Sequence, residues 1–226
     1  MAKRTHDLTH TIRIGTKGYP GCSRIVGWPM KEIALCDYNM LHISMDLHIG
    51  THVDGLKHCI PDGGDVASLP LDHCTGEAVV VDLQARGVAG AEFEIADLQP
   101  HEESLRKYRK LLIKTGWSDH WETPAYHEKF PGVAPACAEW LCGLGVHLVG
   151  LEQPSVHSVE HLLVHRIFFN AKVVIVEGLA DLKSVPDGVV EFFAVPLRFE
   201  GGDGSPTRAF CRYEVFSGDV IPNTER

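Results

Sequence analysis

Nowhere in the 226 residues does an apolar run approach the roughly 20 needed to cross a bilayer, so no membrane partner is expected. Basic clusters are nearly missing as well. Lys and Arg number 21 against 30 acidic residues, a formal charge of -9. Lys3-Arg4 is short, and Arg106-Lys107-Tyr108-Arg109-Lys110 lies close to Glu102 and Glu103, as on a solvated helix face. A phosphate backbone needs clustered cations, so no nucleic-acid partner is expected. The seven cysteines, at 22, 36, 59, 74, 137, 142 and 211, include no pair at zinc-knuckle or redox spacing. Their odd, scattered count argues against a disulfide framework. The basic pair near Met1 has no apolar run behind it, so no secretory signal is read and the cytoplasm is the expected compartment. Repeats, linkers and low-complexity tracts are absent too. With 44% hydrophobic content, residues 1–226 are expected to form one domain with a full core.

What is present is mostly strand. Residues 41–49 place apolar side chains at odd positions and polar ones at even positions, the pattern of a half-buried strand, broken by Gly50 and Thr51. Short runs rich in Val, Ile and Leu predict strands at 78–83, 110–115, 146–151, 172–177, 192–197 and 208–216. Helices are predicted at 94–99 and 102–109, and at 135–144, where a proline opens the first turn and Gly143 and Gly145 close the last. A further apolar stripe at 159, 162, 163, 167 and 168 predicts a helix over 158–170, with Ser155 or Ser158 as its cap. Interspersed strands and helices indicate an α/β class with a large mixed sheet.

Histidine is the unusual component, with fourteen in all. The run His48-Ile-Gly-Thr-His52-Val-Asp54-Gly-Leu-Lys-His58 gathers three imidazoles and a carboxylate, a ligand set suited to Zn²⁺ or Mn²⁺. A continuous helix would send Asp54 and His58 to the far side, and a continuous strand would spread the ligands along its length. Convergence calls for a strand end at His48, a turn at Gly50-Thr51 and a second segment that folds Asp54 and His58 back. A lone histidine is more often structural. Four candidate ligands beside a strand-ending glycine favour a metal site.

The run resembles the motif H-x-G-T-H-x-D-x-P-x-H of the cyclase family of metal-dependent hydrolases, which includes bacterial kynurenine formamidases and isatin hydrolases. It matches at His48, Gly50, Thr51, His52, Asp54 and His58, and departs at Leu56, where proline is usual. Asp7-Leu8-Thr9-His10 and Tyr19-Pro20-Gly21 look like the family's opening. Residues 112–117 resemble its central strand, and Gly201-Gly202-Asp203-Gly204-Ser205-Pro206 with Arg208 its closing loop. The resemblance implies a swivelling β/β/α fold and a homodimer or homotetramer. It also implies a distal His and Glu twelve residues apart, the spacing of His165 and Glu177. A rival pair exists, because His157, His161 and His165 would stack along one helix face and His161 could join His165; the family spacing favours His165 with Glu177.

On this reading His48, His52 and Asp54 hold a first ion, His165 and Glu177 complete a second, and Asp54 bridges them. His58 is the candidate general acid/base, with a fourth-ligand role as the alternative. The expected substrate is a small-molecule amide, cleaved as an arylformamidase would, or alternatively a lactam or lactone opened at the ring; a non-catalytic metal-stabilised protein is the third reading. Trp117, Trp28 and Tyr19 are candidate pocket walls. The family commonly has Asp where Glu152 and His157 stand, and these positions border the pocket in relatives, which points away from kynurenine-type substrates.

Overall fold

Four apolar runs form the centre of the molecule because both of their faces are covered. The computed structural model describes residues 2–215; Phe216, the last residue of the strand expected at 208–216, lies outside them. In chain order the strands begin with β1 (Ala2–Asp7), β2 (Val26–Lys31), β3 (Met40–Ser44), β4 (His52–Asp54) and β5 (Thr75–Asp82). They continue with β6 (Glu92–Phe93), β7 (Lys110–Lys114), β8 (Gly132–Val133), β9 (Leu148–Leu151) and β10 (Val174–Glu177). The last three are β11 (Gly188–Phe193), β12 (Gly204–Pro206) and β13 (Phe210–Val215). The helices are α1 (Ile33–Cys36), α2 (Leu71–Cys74), α3 (Ile95–Leu98), α4 (Glu102–Tyr108), α5 (Pro135–Gly143) and α6 (His161–Asn170).

Nine strands make one mixed sheet in the order β1-β13-β11-β5-β7-β9-β10-β4-β12. The central β5, β7, β9 and β10 are mutually parallel. Parallel strands need crossovers, and α3 with α4, α5 and α6 supply them in turn. Successive side chains point to opposite faces, so Val79, Val81, Leu111, Ile113 and Ile175 pack under the helices with Leu105, Leu141, Val164 and Phe168. Ala78, Val80, Leu112, Leu148 and Val176 face the other way and meet Val53, Phe192 and Cys211 from the antiparallel outer strands. The sheet is therefore curled, its flanks closing over its own second face. This double burial explains why the central strands read as continuous apolar runs. Truncating a residue such as the fully buried Leu112 to alanine is worth about 2–5 kcal/mol.

The strand expected at 192–197 is β11 at Gly188–Phe193, and three further sequence readings need correction. The half-buried strand expected at 41–49 is instead β3, which ends at Ser44, pairs only with β2 and is exposed along its whole length. Its alternation is real, but the described residues leave all five of its side chains exposed. His48 consequently stands on the irregular segment between β3 and β4, not on a strand end. The helix expected from 158 starts at His161 without a side-chain cap from Ser155 or Ser158. The His157 ring takes the cap's place: its Nδ1 accepts from the Val159 and Glu160 amides at 3.0 and 2.9 Å. His157 thus precedes the helix, and the three-histidine stripe does not exist. Finally, the glycine-rich 201–206 segment is not only a loop, since β12 adds an edge strand beside β4.

Candidate metal centre

The carboxyl ends of parallel strands are where open α/β sheets gather ligands, and here a short antiparallel strand brings a second set of side chains to the same place. Within β4, His52 and Asp54 share one face while Val53 points into the core. The register sets His52 opposite Glu177, the last residue of β10, and Asp54 opposite Gly204 of β12. The preceding turn is held by Thr51, whose Oγ1 donates to the Gly178 carbonyl at 2.5 Å and accepts from the His10 amide at 3.0 Å. Gly50 has φ 63°, and a Cβ there would come within 2.8 Å of Ile12; glycine is the residue this turn tolerates. From above, the second turn of α6 delivers His165.

Two backbone carbonyls fix the imidazole tautomers. His52 Nδ1–H donates to the Gly50 carbonyl at 3.0 Å, and His165 Nδ1–H donates to the His161 carbonyl at 2.7 Å. Both Nε2 lone pairs are therefore aimed inward. His52 Nε2 lies 3.3 Å from Asp54 Oδ1 and 3.4 Å from Glu177 Oε2. His165 Nε2 lies 3.3 Å from Asp54 Oδ2 and 3.3 Å from Glu177 Oε1. His48 Nδ1 stands 2.8 Å from Asp54 Oδ1. Asp54 is fully buried and Glu177 is 4% exposed. Both Asp54 oxygens, Glu177 Oε1 and the Nε2 atoms of His52 and His165 lack a hydrogen-bond partner of good geometry. Lone pairs facing carboxylates in a buried site repel unless a cation stands between them. The pKa directions express the same demand. Burial pushes the His52 imidazole down, yet Asp54 and Glu177 overcome it and raise it to about 10. Burial likewise opposes charge on Asp54, but His165, His48 and His52 hold it well below its ordinary range.

Two donor triads share Asp54: His48, His52 and Asp54, and Asp54, His165 and Glu177; a looser group of His48, His58 and Asp203 stands at the more exposed edge, and the ligand atoms of each lie within 4.8 Å of one another. Imidazole with carboxylate is a borderline-hard donor set appropriate to Zn²⁺ or Mn²⁺. His161, the rival, contributes its carbonyl to His165 and belongs to neither triad. His58 sits on the short helical turn Leu56–His58, its ring 4.0 Å from that of His48 and 5.5 Å from that of His165. Burial pushes its pKa below the ordinary value, leaving a neutral imidazole able to take a proton.

The pocket walls were only partly legible. Tyr19 does line the mouth of the cluster, with Lys17, Trp121, Tyr126 and His127. Trp117 is instead buried against Tyr126 and Phe130, and Trp28 lies out on the β2–β3 hairpin. The density of aromatic and histidine residues over 117–127 was the missed signal. Beyond Trp121 and His127 a cavity of about 630 Å³ opens, bordered by Arg13, Ile14 and Glu122. Neither Glu152 nor His157 faces the mouth. Glu152 accepts from the Thr115 and Gly116 amides and from the Thr115 and Ser118 hydroxyls, anchoring the loop that carries Trp117 and Trp121.

Comparison with known proteins identifies the family and the fold. The model of the Cyclase family matches residues 6–158. A kynurenine formamidase of Erythrobacter litoralis is 35% identical over 93% of this chain and 94% of its own length. The fold superposes on a predicted metal-dependent hydrolase from Bacillus stearothermophilus with a TM-score of 0.76 at 26% identity, covering 94% of this chain and 99% of that one. It also superposes on isatin hydrolase A from Ralstonia solanacearum with a TM-score of 0.82 at 24% identity, covering 94% and 92%.

Proposed function

This chain belongs to the Cyclase family, and from that premise we propose that it is a metal-dependent hydrolase of a small-molecule, amide-type carbonyl bond, as an arylformamidase is. The observation that carries the reading is the pair of inward Nε2 lone pairs, on His52 and His165, locked by backbone carbonyls against two buried carboxylates. His48, His52 and Asp54 would hold one Zn²⁺ or Mn²⁺; Asp54, His165 and Glu177 would hold a second. An ion so held supplies a Lewis acid that acidifies water towards a pKa of roughly 7 and polarises the scissile carbonyl. The protein's own groups do the rest. His58, neutral and beside both triads, takes a proton from the attacking water and returns it to the leaving nitrogen, which cannot depart as an amide anion. Tyr19 and Trp121 flank the substrate, and the low-polarity walls of Tyr126 and Trp121 exclude bulk water. All seven cysteines are free thiols, in keeping with a reducing cytoplasm.

The test is a panel of N-formylanilides, isatins and lactones, offered to the protein loaded with Zn²⁺ or Mn²⁺ and to the chelated protein. Metal-dependent cleavage of the formylanilides is the expected result. Turnover of isatins or lactones alone would move the activity to ring opening, and no turnover by either loaded form would end the hydrolase reading.

We further propose that the chain works as a homodimer or homotetramer. Among the described residues, no helix is long and apolar enough to cross a membrane, yet the β2–β3 hairpin exposes Trp28, Met30, Ile33, Leu35, Met40 and Leu41 at 49–83%. An isolated two-stranded ribbon is marginal in water, and a contiguous exposed apolar surface of this kind marks an interaction site. Sedimentation should find an oligomer in the wild type and a smaller species for Leu35→Glu combined with Met40→Glu. A monomeric wild type at micromolar concentration would remove the proposal.

A further inference from the structure

One carboxylate next to the cluster has no part in either triad. Asp203 lies in Gly201-Gly202-Asp203-Gly204, beyond the span matched by the family model. The backbone of this loop is tied down at three points. The Gly55 amide donates to the Asp203 carbonyl at 2.8 Å, the Val66 amide to the Gly202 carbonyl at 3.0 Å, and the Gly201 amide to Asp65 Oδ2 at 2.7 Å. Next along, Gly204 pairs with Asp54, and a Cβ at this position would reach within 2.6 Å of the His48 ring. The loop can approach His48 so closely only because glycine stands there.

That anchorage aims a single oxygen at two rings. Asp203 Oδ2 lies 3.3 Å from His48 Nε2 and 3.7 Å from His58 Nδ1. His48 already turns its other nitrogen, Nδ1, to Asp54 at 2.8 Å. With Nδ1 of His58 towards Asp203, Nε2 is the nitrogen left to serve the reacting atoms. The two ring centroids lie 4.0 Å apart with the planes tilted by 35°, so a restraint on one ring limits the other. Contacts of this length are ordinary for a catalytic array before substrate arrives, and they tighten in the complex.

We infer that Asp203 is a positioning residue of the proposed hydrolase: one carboxylate oxygen orients the ligand His48 and the proton carrier His58 together. It rests on the hydrolase reading above. It adds a residue from the far end of the chain to a site otherwise built from 48–58 and 165–177. Outer carboxylates that orient metal-site histidines contribute roughly 10–100-fold in activity or metal affinity. Because the two triads that share Asp54 are complete without Asp203, the effect falls on proton transfer and not on metal retention.

The experiment compares wild type, Asp203→Leu and Asp203→Asn, each loaded with Zn²⁺. Three things are read: zinc per chain, kcat and KM on an N-formylanilide, and the ¹⁵N shifts of the histidine rings, which report which nitrogen carries the proton. Asp203→Leu should keep its zinc and lose roughly 10–100-fold in kcat with little change in KM, the mark of an interaction needed only in the transition state. The Nδ1-protonated signal of His58 should fade. Asp203→Asn keeps an acceptor oxygen and should recover part of the loss. Wild-type kcat in Asp203→Leu overturns the inference, and so does an unaltered His58 tautomer. Loss of zinc overturns it too, by making Asp203 a ligand, since His48, His58 and Asp203 stand near enough to seat an ion. Should the leucine variant fail to fold, the isosteric asparagine variant decides on the same readouts. If the wild type cleaves no amide, the hydrolase reading falls, while zinc content and ring tautomer still judge Asp203.

Discussion

His52→Ala protein will emerge from metal loading with almost no bound ion and with hydrolysis at the level of the chelated wild type. The reason is position. His52 Nε2, like His165 Nε2, lies within 3.4 Å of both Asp54 and Glu177, so its loss opens the first triad and weakens the second. What remains is two buried carboxylates with one fewer partner, an arrangement that favours protonation over metal uptake. Glu177→Gln makes the finer distinction. A neutral amide is a poorer ligand for a hard cation, so metal content should drop from about two ions per chain to about one, with activity depressed. His161→Ala should change neither, because its carbonyl, and not its ring, supports His165. Elemental analysis of wild type and all three variants under identical loading is the measurement. Full metal in His52→Ala would sink the first triad. One ion in the wild type, or metal loss from His161→Ala but not from Glu177→Gln, would sink the second.

The second large effect separates chemistry from metal binding. His58→Ala should retain its ions and lose roughly 10²–10⁴-fold in turnover, the usual contribution of a positioned acid/base. The loss should depend on the leaving group. An anilide nitrogen must be protonated as it departs, whereas an activated phenol leaves readily as its anion. The deficit on an aryl formate ester should therefore be much smaller than on the matching formanilide. A metal-depleted His58→Ala protein would make His58 a ligand, unchanged turnover would dismiss both roles, and equal deficits on ester and amide would confine it to activating water.

Much of this arrangement could be read from local pattern. The run from His48 to His58 announces itself because its ligands come from eleven consecutive residues, and a turn at Gly50-Thr51 is the only local geometry that brings them together. The central strands were legible because double burial writes continuous apolar runs. His165 and Glu177 were accessible only through family spacing, since the register that puts Glu177 opposite His52 joins positions 125 apart and leaves no local trace. The β2–β3 hairpin deceived for the opposite reason. Its alternation is genuine, but periodicity reports that a face is apolar, not which molecule covers it. Trp121, His127 and Asp203 went unassigned because single residues on loops carry no period, and only the tertiary fold gives them neighbours.

The pairing of β4 between β10 and β12 has a thermodynamic side. The three segments that meet there are separated by long stretches of chain and are joined by few ladder rungs. Without an ion, the junction carries an electrostatic penalty at the very place where the sheet must close. An ion that binds only the closed form acts as a clasp: occupancy and closure are linked, and a metal at a hundred times its dissociation constant adds about 2.7 kcal/mol to the folded state. On the proposed metal reading, the liganding strand β4 would be loosely held in the apo-protein and fixed in the holo-protein, so metal supply would govern the lifetime of the fold as well as its chemistry.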